Sequence, residues 1–178
     1  ITLGGAVTGL GIEAASFRNG CPHESVTAME VLTGTGEVVR ATPGGEHSDL
    51  FFGFPNSYGS LGYALRLEIE LEPVRRNVLL RHVRFNSAAD VAMAIARITE
   101  DRTFEGVEVD YMDATVFGPE EIYLTLGAYG DSGTPSDYTG QQIYYRSIQE
   151  RPTDTLTIHD YLWRWDTDWF RCSAAFGL

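Results

Sequence analysis

The chain has 178 residues, of which 43% are hydrophobic and 21% are charged, a composition typical of a soluble globular protein. Its formal net charge of −12 argues against a nucleic acid partner, because an acidic surface repels phosphate backbones. It contains no apolar run of the roughly 18 residues that a transmembrane helix needs, and no CxxC or HExxH pattern that predicts a metal site. Its two cysteines lie far apart, and we expect reduced thiols in a cytoplasmic protein.

The chain begins with a glycine-rich segment, with five glycines among its first 25 residues. This density predicts irregular backbone that can approach a ligand closely and present consecutive N–H groups to an anion. Glycines that serve only tight turns would give the same pattern. We do not expect a dinucleotide-binding βαβ unit, because the chain continues through Asn19, Gly20 and Pro22 into a hairpin instead of a helix.

The segments that follow predict an antiparallel sheet. Residues 26–33 and 37–41 are expected to pair as a hairpin around the Gly34-Thr35-Gly36 turn. An apolar cluster at 50–54 predicts a helical turn within a turn-rich stretch. Strict alternation then predicts a half-buried strand, whose inner face would carry Leu65, Leu67, Ile69 and Leu71.

A second α+β layer is expected after Pro73. The pattern predicts a strand at 78–85, a helix capped by Ser87 and ending near Glu100, strands at 107–112 and 122–129, and a helical turn at 119–121. Residues 130–142 are expected to form a loop, and the tryptophans of the aromatic tail at 155–170 to lie in a core or an interface. The predicted fold class is therefore α+β, with domains at 1–74 and 75–178.

Three segments in this order resemble the flavin-binding domain shared by vanillyl-alcohol oxidase and p-cresol methylhydroxylase. They are TLGGAVTGLGIEAAS at 2–16, GCPHESVTAMEVLTGTGEVVRATP at 20–43 and SDLFFGFPNSYGSLGYALRLEIELEP at 48–73. The resemblance implies that residues 1–74 form the second half of that domain and that residues 75–178 begin a substrate domain. On this basis we expect a fragment that is colourless and inactive by itself.

FAD is the cofactor that the resemblance implies. In the family the glycine-rich segment lies along the pyrophosphate and ribityl chain, and a later segment meets the adenine end. The implied cofactor-binding residues of this chain are Thr2, Leu3, Gly4, Gly5, Gly9, Leu10, Gly11, Ile12, Glu13, Ala14, Gly59, Gly62, Tyr63 and Ala64.

Within the family, the chain is most similar to the delta-24 sterol reductase branch, through GLGIE at 9–13 and TIHDYLWRWDTDWF at 157–170. The 28–72 stretch also resembles the decaprenyl-phosphoryl-ribose oxidases, but the His and Asn residues of their glycine signature are absent. The resemblance implies hydride transfer between flavin N5 and a CH–CH bond of a hydrophobic, lipid or sterol-like substrate. A CH–OH oxidase of a sugar or polyol, and a binding module without cofactor, remain the alternatives.

The catalytic residues do not follow from the sequence. Tyr145 with Arg146, and His159 with Asp160, could orient a substrate or tune a flavin. An arginine such as Arg146 is more often a surface or ion-pair residue, and a histidine such as His159 is more often a satisfied polar residue than a catalyst.

Overall fold

The computed structural model describes residues 2–138 and 143–165. The chain divides into two compact units, Ile1–Glu72 and Pro73–Leu178. Each unit combines helices with antiparallel strands, so the expected α+β class is confirmed. In the described part of the chain, no helix has both the length and the hydropathy to cross a bilayer.

The first unit is built on a three-stranded antiparallel sheet. Its elements are α1 (Leu3–Thr8), α2 (Ser16–Asn19), a 3₁₀ turn (Pro22–Ser25), β1 (Val26–Leu32), β2 (Val38–Ala41), α3 (Ser48–Gly53) and β3 (Tyr63–Ile69). The strand order is β2-β1-β3, which places the most buried strand at the centre. The core of the unit consists of Val7, Val26, Met29, Val31, Ala41, Phe51 and Phe54.

A bulge in β3 overturns part of its expected alternation. Glu30 pairs with Arg66 and Val31 pairs with Ala64, so Leu65 is an extra residue on the β3 side of the ladder. Ala64 therefore packs against the core together with Leu67 and Ile69, whereas Leu65 is exposed. Leu71 follows the end of the strand and is exposed as well. The expectation of one inner face from Leu65 to Leu71 is wrong at both ends.

The second unit contains a four-stranded antiparallel sheet of order β7-β8-β4-β9 and a separate two-stranded hairpin. Its elements are β4 (Asn77–Phe85), α4 (Ala88–Asp101), β5 (Thr103–Phe104), β6 (Val107–Glu108), β7 (Tyr111–Gly118), β8 (Glu121–Gly130), α5 (Tyr144–Glu150), β9 (Thr153–Thr157) and α6 (Ile158–Trp163). The cap of α4 is the expected one, because the Ser87 hydroxyl accepts from the Asp90 amide at 3.2 Å.

The sheet of the second unit is covered on both faces near its centre. β8 is buried at every position from 122 to 127, and successive strand residues point to opposite faces. Helix α4 packs against β4 and β8, α5 packs against β8, and α6 packs against β4 and β9. The sheet can therefore hold side-chain clusters on two sides.

Two local expectations for this unit are wrong. The expected helical turn at 119–121 is a tight strand connection, in which Gly118 pairs with Glu121. The expected strand at 107–112 is divided between β6 and β7, and β7 continues to Gly118. Apolar alternation fails in β7 because Asp113 lies at an inward position, where its partner is Arg164. Of the aromatic tail, Trp163 is 58% exposed, and Trp169 and Phe170 fall outside the described residues.

Candidate functional site

The glycine-rich start of the chain forms a short helix, contrary to the irregular backbone expected there. Helix α1 contains Gly4 and Gly5, and its N-cap is Thr2, whose hydroxyl accepts from the Gly5 amide at 3.1 Å. Ala6 and Val7 are buried and anchor the helix to the core of the first unit. Irregular backbone begins at Gly9, which caps the helix.

The structure brings the two segments predicted to hold FAD together. The amide of Tyr58 donates to the Thr8 carbonyl at 3.0 Å, and the amide of Asn56 donates to the Val7 carbonyl at 3.3 Å. The bond from Tyr58 satisfies a carbonyl group at the end of α1, whereas the Val7 carbonyl also accepts from the Leu10 amide at 3.5 Å. Asn56 and Tyr58 both have positive φ angles, 61° and 49°, so this turn is shaped to present its amides to α1. The sequence analysis did not single out Asn56 or Tyr58.

Exposed apolar side chains occur in both segments and in the turn before the second one. Ile12 is 80% exposed, Tyr58 is 77% exposed and Tyr63 is 70% exposed. Leu10 and Leu61 are exposed as well. We call these five residues, which lie in or next to the two segments, the apolar junction surface. Such surfaces on soluble proteins mark sites for ligands or partners.

The glycines of the two segments differ in the space that a side chain would find at each position. A Cβ on Gly11 would lie 3.2 Å from Ala6, and one on Gly62, whose φ is 128°, would lie 2.3 Å from the Leu32 carbonyl oxygen. Internal packing therefore requires glycine at position 62, whereas a side chain at position 11 would need a small shift of Ala6. A Cβ on Gly4 or on Gly59 would meet no protein atom within 4 Å. The space beside Gly4 and Gly59 is open to a ligand.

Arg18 is the basic residue nearest in sequence to the glycines, and its guanidinium is engaged. It makes a bidentate contact with Glu72, with N–O distances of 2.7 and 2.6 Å. This contact lowers the pKa of Glu72, chiefly through the hydrogen bond. A phosphate-bearing ligand at the junction would rely on backbone N–H groups, as the acidic sequence also indicates.

Of the three catalytic candidates, Arg146 on α5 and His159 on α6 are exposed, whereas Tyr145 on α5 is half-buried, with its ring centroid 6.4 Å from that of Phe117. The Arg146 guanidinium contacts the Tyr145 hydroxyl at 3.4 Å. It also lies over the ring of Tyr145, 5.9 Å from the ring centroid. The His159 ring is 78% exposed and lies 3.4 Å from the Asp160 carboxylate. Both of these contacts join adjacent residues, so they do little to fix the Arg146 and His159 side chains. Their catalytic roles stay predictions.

A row of polar residues crosses the sheet of the second unit, and the sequence analysis missed it. His82 on β4 pairs with Thr125 on β8, and Thr125 pairs with Asp113 on β7. The His82 Nδ1 atom lies 2.9 Å from the Thr125 hydroxyl. Burial lowers the pKa of His82 to about 4, with Asp154 opposing the shift and Arg164 adding to it. The available signal was a polar residue at an inward position of an otherwise apolar strand.

Asp113 forms a buried ion pair with Arg164. The Arg164 Nη2 atom lies 2.9 Å from the carboxylate, and the guanidinium is 3.9 Å from the centroid of the Tyr161 ring. Burial raises the pKa of Asp113, although Arg164 acts in the opposite direction. Arg164 is 8% exposed, so this charge depends on its partner carboxylate.

A second polar group lies beside β9. The Asp154 carboxylate accepts from the hydroxyls of Ser136 and Tyr138 and from the backbone amide of Thr155. Burial, followed by the bond to Asp154, raises the pKa of the Tyr138 phenol to about 12. Arg151 adds a contact of 3.4 Å to the same carboxylate. These bonds leave Asp154 well satisfied.

Comparison with curated proteins finds relatives among the sterol reductases. The chain is 30% identical over 146 residues to the Delta(24)-sterol reductase of Homo sapiens, which covers 82% of this chain and 27% of that protein. It is 32% identical over 132 residues to the Delta(24)-sterol reductase of Arabidopsis thaliana, covering 72% and 23%. Cytokinin dehydrogenase 9 of Oryza sativa subsp. japonica is 29% identical over 109 residues, covering 61% and 21%. The chain thus spans about a quarter of the length of these relatives.

No family model matches the chain. Among solved structures, a berberine bridge enzyme variant, a reticuline dehydrogenase, matches with a TM-score of 0.53 and 17% identity, over 90% of this chain and 32% of the other. At this identity the match supports the fold alone. The expected resemblance to the FAD-linked oxidases, and within them to the sterol reductase branch, is confirmed by the two comparisons together.

Proposed function

Because this chain is related to the Delta(24)-sterol reductases within the FAD-linked oxidase superfamily, we propose that it is part of an FAD-dependent oxidoreductase acting on a CH–CH bond of a sterol-like substrate. The observation that carries the proposal is the 30% identity to the human Delta(24)-sterol reductase over 82% of the chain. The name of the related cytokinin dehydrogenase, also an oxidoreductase, agrees with the general chemistry.

The residues of the first unit fit a flavin dinucleotide. Open space beside Gly4 and Gly59 would admit the cofactor close to the backbone. The exposed rings of Tyr58 and Tyr63 offer apolar faces to an aromatic ring system. The bond from the Tyr58 amide to the Thr8 carbonyl keeps the two segments next to each other. We propose that Thr2–Ala14 and Gly59–Ala64 hold FAD, with Gly4 and Gly59 at the closest approach.

When bound, FAD supplies the hydride-carrying N5 atom, and the chain supplies placement and surroundings. The apolar junction surface would exclude water from the cofactor that covers it. Gly11 and Gly62 act indirectly, since their packing against Ala6 and Leu32 shapes the backbone of the two segments. We also propose that residues 75–178 shape the substrate cavity and that the protein is cytoplasmic.

The proposal is tested by flavin spectroscopy of the full-length protein. We expect visible flavin bands and, after reduction of the flavin, rapid recovery of the oxidised bands on anaerobic addition of a sterol with an unsaturated side chain. Sugar alcohols serve as the comparison and should leave the oxidised bands unchanged. Bleaching by sugar alcohols without any response to sterols would instead identify a CH–OH oxidase. A protein without flavin bands, even after incubation with FAD, would contradict the cofactor assignment.

A further inference from the structure

Three buried polar groups on one face of the second unit's sheet have no hydrogen-bond partner in the described part of the chain. They are the Oδ1 atom of Asp113, the Nε atom of Arg164 and the hydroxyl of Tyr144. Tyr144 is 0% exposed and Arg164 is 8% exposed, so bulk solvent does not reach either side chain. Because an unpaired polar atom is costly to bury, such atoms in folded proteins meet either a protein group or an ordered water molecule.

The ion pair between Asp113 and Arg164 makes one bond where two are geometrically possible. The Nη2 atom of Arg164 lies 2.9 Å from the Oδ2 atom of Asp113. Oδ1 shares a carbon with Oδ2, and Nε shares a carbon with Nη2, so an unpaired acceptor and an unpaired donor flank this one bond. Arginine and carboxylate groups often form two parallel bonds through such atoms. Here the second pair of atoms is available to another group.

The other sides of the Arg164 guanidinium are occupied. Its Nη1 atom donates to the Tyr161 carbonyl at 2.7 Å. The Tyr161 ring covers one of its faces, with 3.9 Å between the guanidinium carbon and the ring centroid, and the Trp165 ring centroid is 5.7 Å away. These contacts hold the guanidinium in one orientation. The direction of the unpaired Nε–H group is therefore fixed as well.

The Tyr144 hydroxyl lies beside the same ion pair. The Tyr144 ring centroid is 5.6 Å from the Arg164 guanidinium carbon and 6.3 Å from the His82 ring centroid. Burial and then the Asp113 carboxylate raise the pKa of the Tyr144 phenol, whereas Arg164 lowers it. Both members of the pair are thus close enough to act on the hydroxyl, although neither forms a hydrogen bond with it.

The charges at this place favour a neutral ligand. The Arg164 cation would repel a cation, and the Asp113 carboxylate would repel an anion. His82, which packs against Tyr144, is uncharged above its pKa of about 4. Among the described residues, no group of three or more His, Cys, Asp or Glu side chains could hold a metal ion.

The hydrogen-bonding groups select the ligand further. It must accept from Nε–H of Arg164 and donate to Oδ1 of Asp113, while the Tyr144 hydroxyl can either donate or accept. A water molecule does all of this at once. Three hydrogen bonds are also the usual number for a water molecule that is buried in a protein.

We propose that an ordered water molecule binds between Asp113, Arg164 and Tyr144 and bridges all three. The water connects strand β7 with helix α5 and with the residue that follows helix α6, so it helps to hold both helices on the sheet. All three partners belong to the second unit, and no flavin or substrate is needed. Failure of this inference therefore leaves the proposed function untouched, and the reverse also holds.

The direct test is a crystal structure of the full-length protein at a resolution that shows ordered water. We expect a water oxygen within about 2.7–3.2 Å of Oδ1 of Asp113, Nε of Arg164 and the Tyr144 oxygen. A direct bond between Oδ1 and Nε, or a protein group that pairs with these atoms, would overturn the proposal. A water molecule bonded to fewer than two of the three atoms would overturn it as well.

Tyr144→Phe tests the bridge in solution, because it removes the hydroxyl and keeps the ring. The water would lose one of its three partners, so the equilibrium constant for folding, from urea unfolding, should fall about fivefold to tenfold. Tyr145→Phe makes the same change at the next residue of α5, where the hydroxyl has a long contact of 3.4 Å with Arg146, and it should leave this constant unchanged. A Tyr144→Phe variant that is as stable as the parent, or more stable, would mean that the buried hydroxyl has no bound partner.

Discussion

The backbone amide of Tyr58 donates a hydrogen bond to the carbonyl oxygen of Thr8 at 3.0 Å, across the first unit of the chain. The Thr8 carbonyl lies at the end of helix α1, and its donor comes from a turn that is distant in sequence. At most helix ends such a carbonyl accepts from water or from a nearby capping residue. The bond also joins the segment at 2–14 to the residue directly before Gly59, where the second segment that the resemblance assigns to FAD begins. The proposed flavin site can therefore be tested by substituting single residues on either side of this hydrogen bond.

Gly4→Leu should weaken FAD binding in the full-length protein. A side chain at Gly4 meets no protein atom within 4 Å, so the fold should tolerate it, and leucine favours the helix. The side chain would occupy the space through which the cofactor approaches. We expect the dissociation constant, measured by quenching of flavin fluorescence, to rise about tenfold or more.

Gly34→Leu is the control for this change. Gly34 lies in the β1–β2 turn, and a Cβ there also meets no protein atom within 4 Å. It should retain the flavin affinity of the parent protein. If Gly4→Leu retained it too, with normal stability, FAD would not lie against α1.

Tyr58→Asn should also weaken FAD binding, at little cost in stability. The Tyr58 ring is 77% exposed, so few contacts within the unit are lost, and asparagine tolerates the positive φ of 49°. The loss of one aromatic face should lower the affinity about fivefold to tenfold. Val38→Asn, at an exposed apolar position of β2, should have no effect on affinity. Equal effects of the two variants would argue against a role for the ring.

Local signals in the sequence predicted much of the fold. The β1–β2 hairpin formed around the expected turn, where Gly36 has a φ of 84° that glycine adopts readily. Helix α4 begins at the expected Ser87 cap. In both places the determining contacts lie within a few residues, so a pattern along the chain contains the necessary information.

Contacts between residues distant in sequence explain why the expectations for α1 and β7 were wrong. Two glycines lower the helix propensity of α1, yet buried Val7 and the donors from Asn56 and Tyr58 stabilise it. The inward position of Asp113 on β7 depends on Arg164, which lies 51 residues later in the chain. Neither relationship can be inferred before the tertiary fold is known.

Asp113→Asn should destabilise the second unit by about 2–4 kcal/mol, because it removes the negative charge beside the buried Arg164. Glu105→Gln is the same carboxylate-to-amide change in an exposed pair with Arg81, and it should cost no more than about 1 kcal/mol. Urea unfolding followed by near-ultraviolet circular dichroism compares the two. Similar losses in both variants would mean that Arg164 does not depend on the Asp113 charge.

His82 should make the second unit less stable in mild acid. Burial lowers its pKa from the ordinary 6.5 to about 4 in the folded state. Between these pH values the unfolded chain takes up a proton that the folded chain does not, so the free energy of unfolding falls as the pH falls. The full loss for one such group is about 3 kcal/mol. Asp154 opposes the shift and Arg164 adds to it, so both must remain in the variant that is compared.

His82→Gln isolates this contribution, because glutamine can still hydrogen-bond to Thr125 and does not titrate. Its free energy of unfolding should be lower than that of the parent at pH 7, and the difference should shrink as the pH falls toward 4. His159→Gln is the matched control, since its ring is 78% exposed and should contribute no comparable pH dependence. Urea unfolding at half-unit pH intervals measures both variants against the parent. If the parent and His82→Gln differed by the same amount at every pH, the pKa of His82 would be the same in the folded and the unfolded chain, and burial would not lower it.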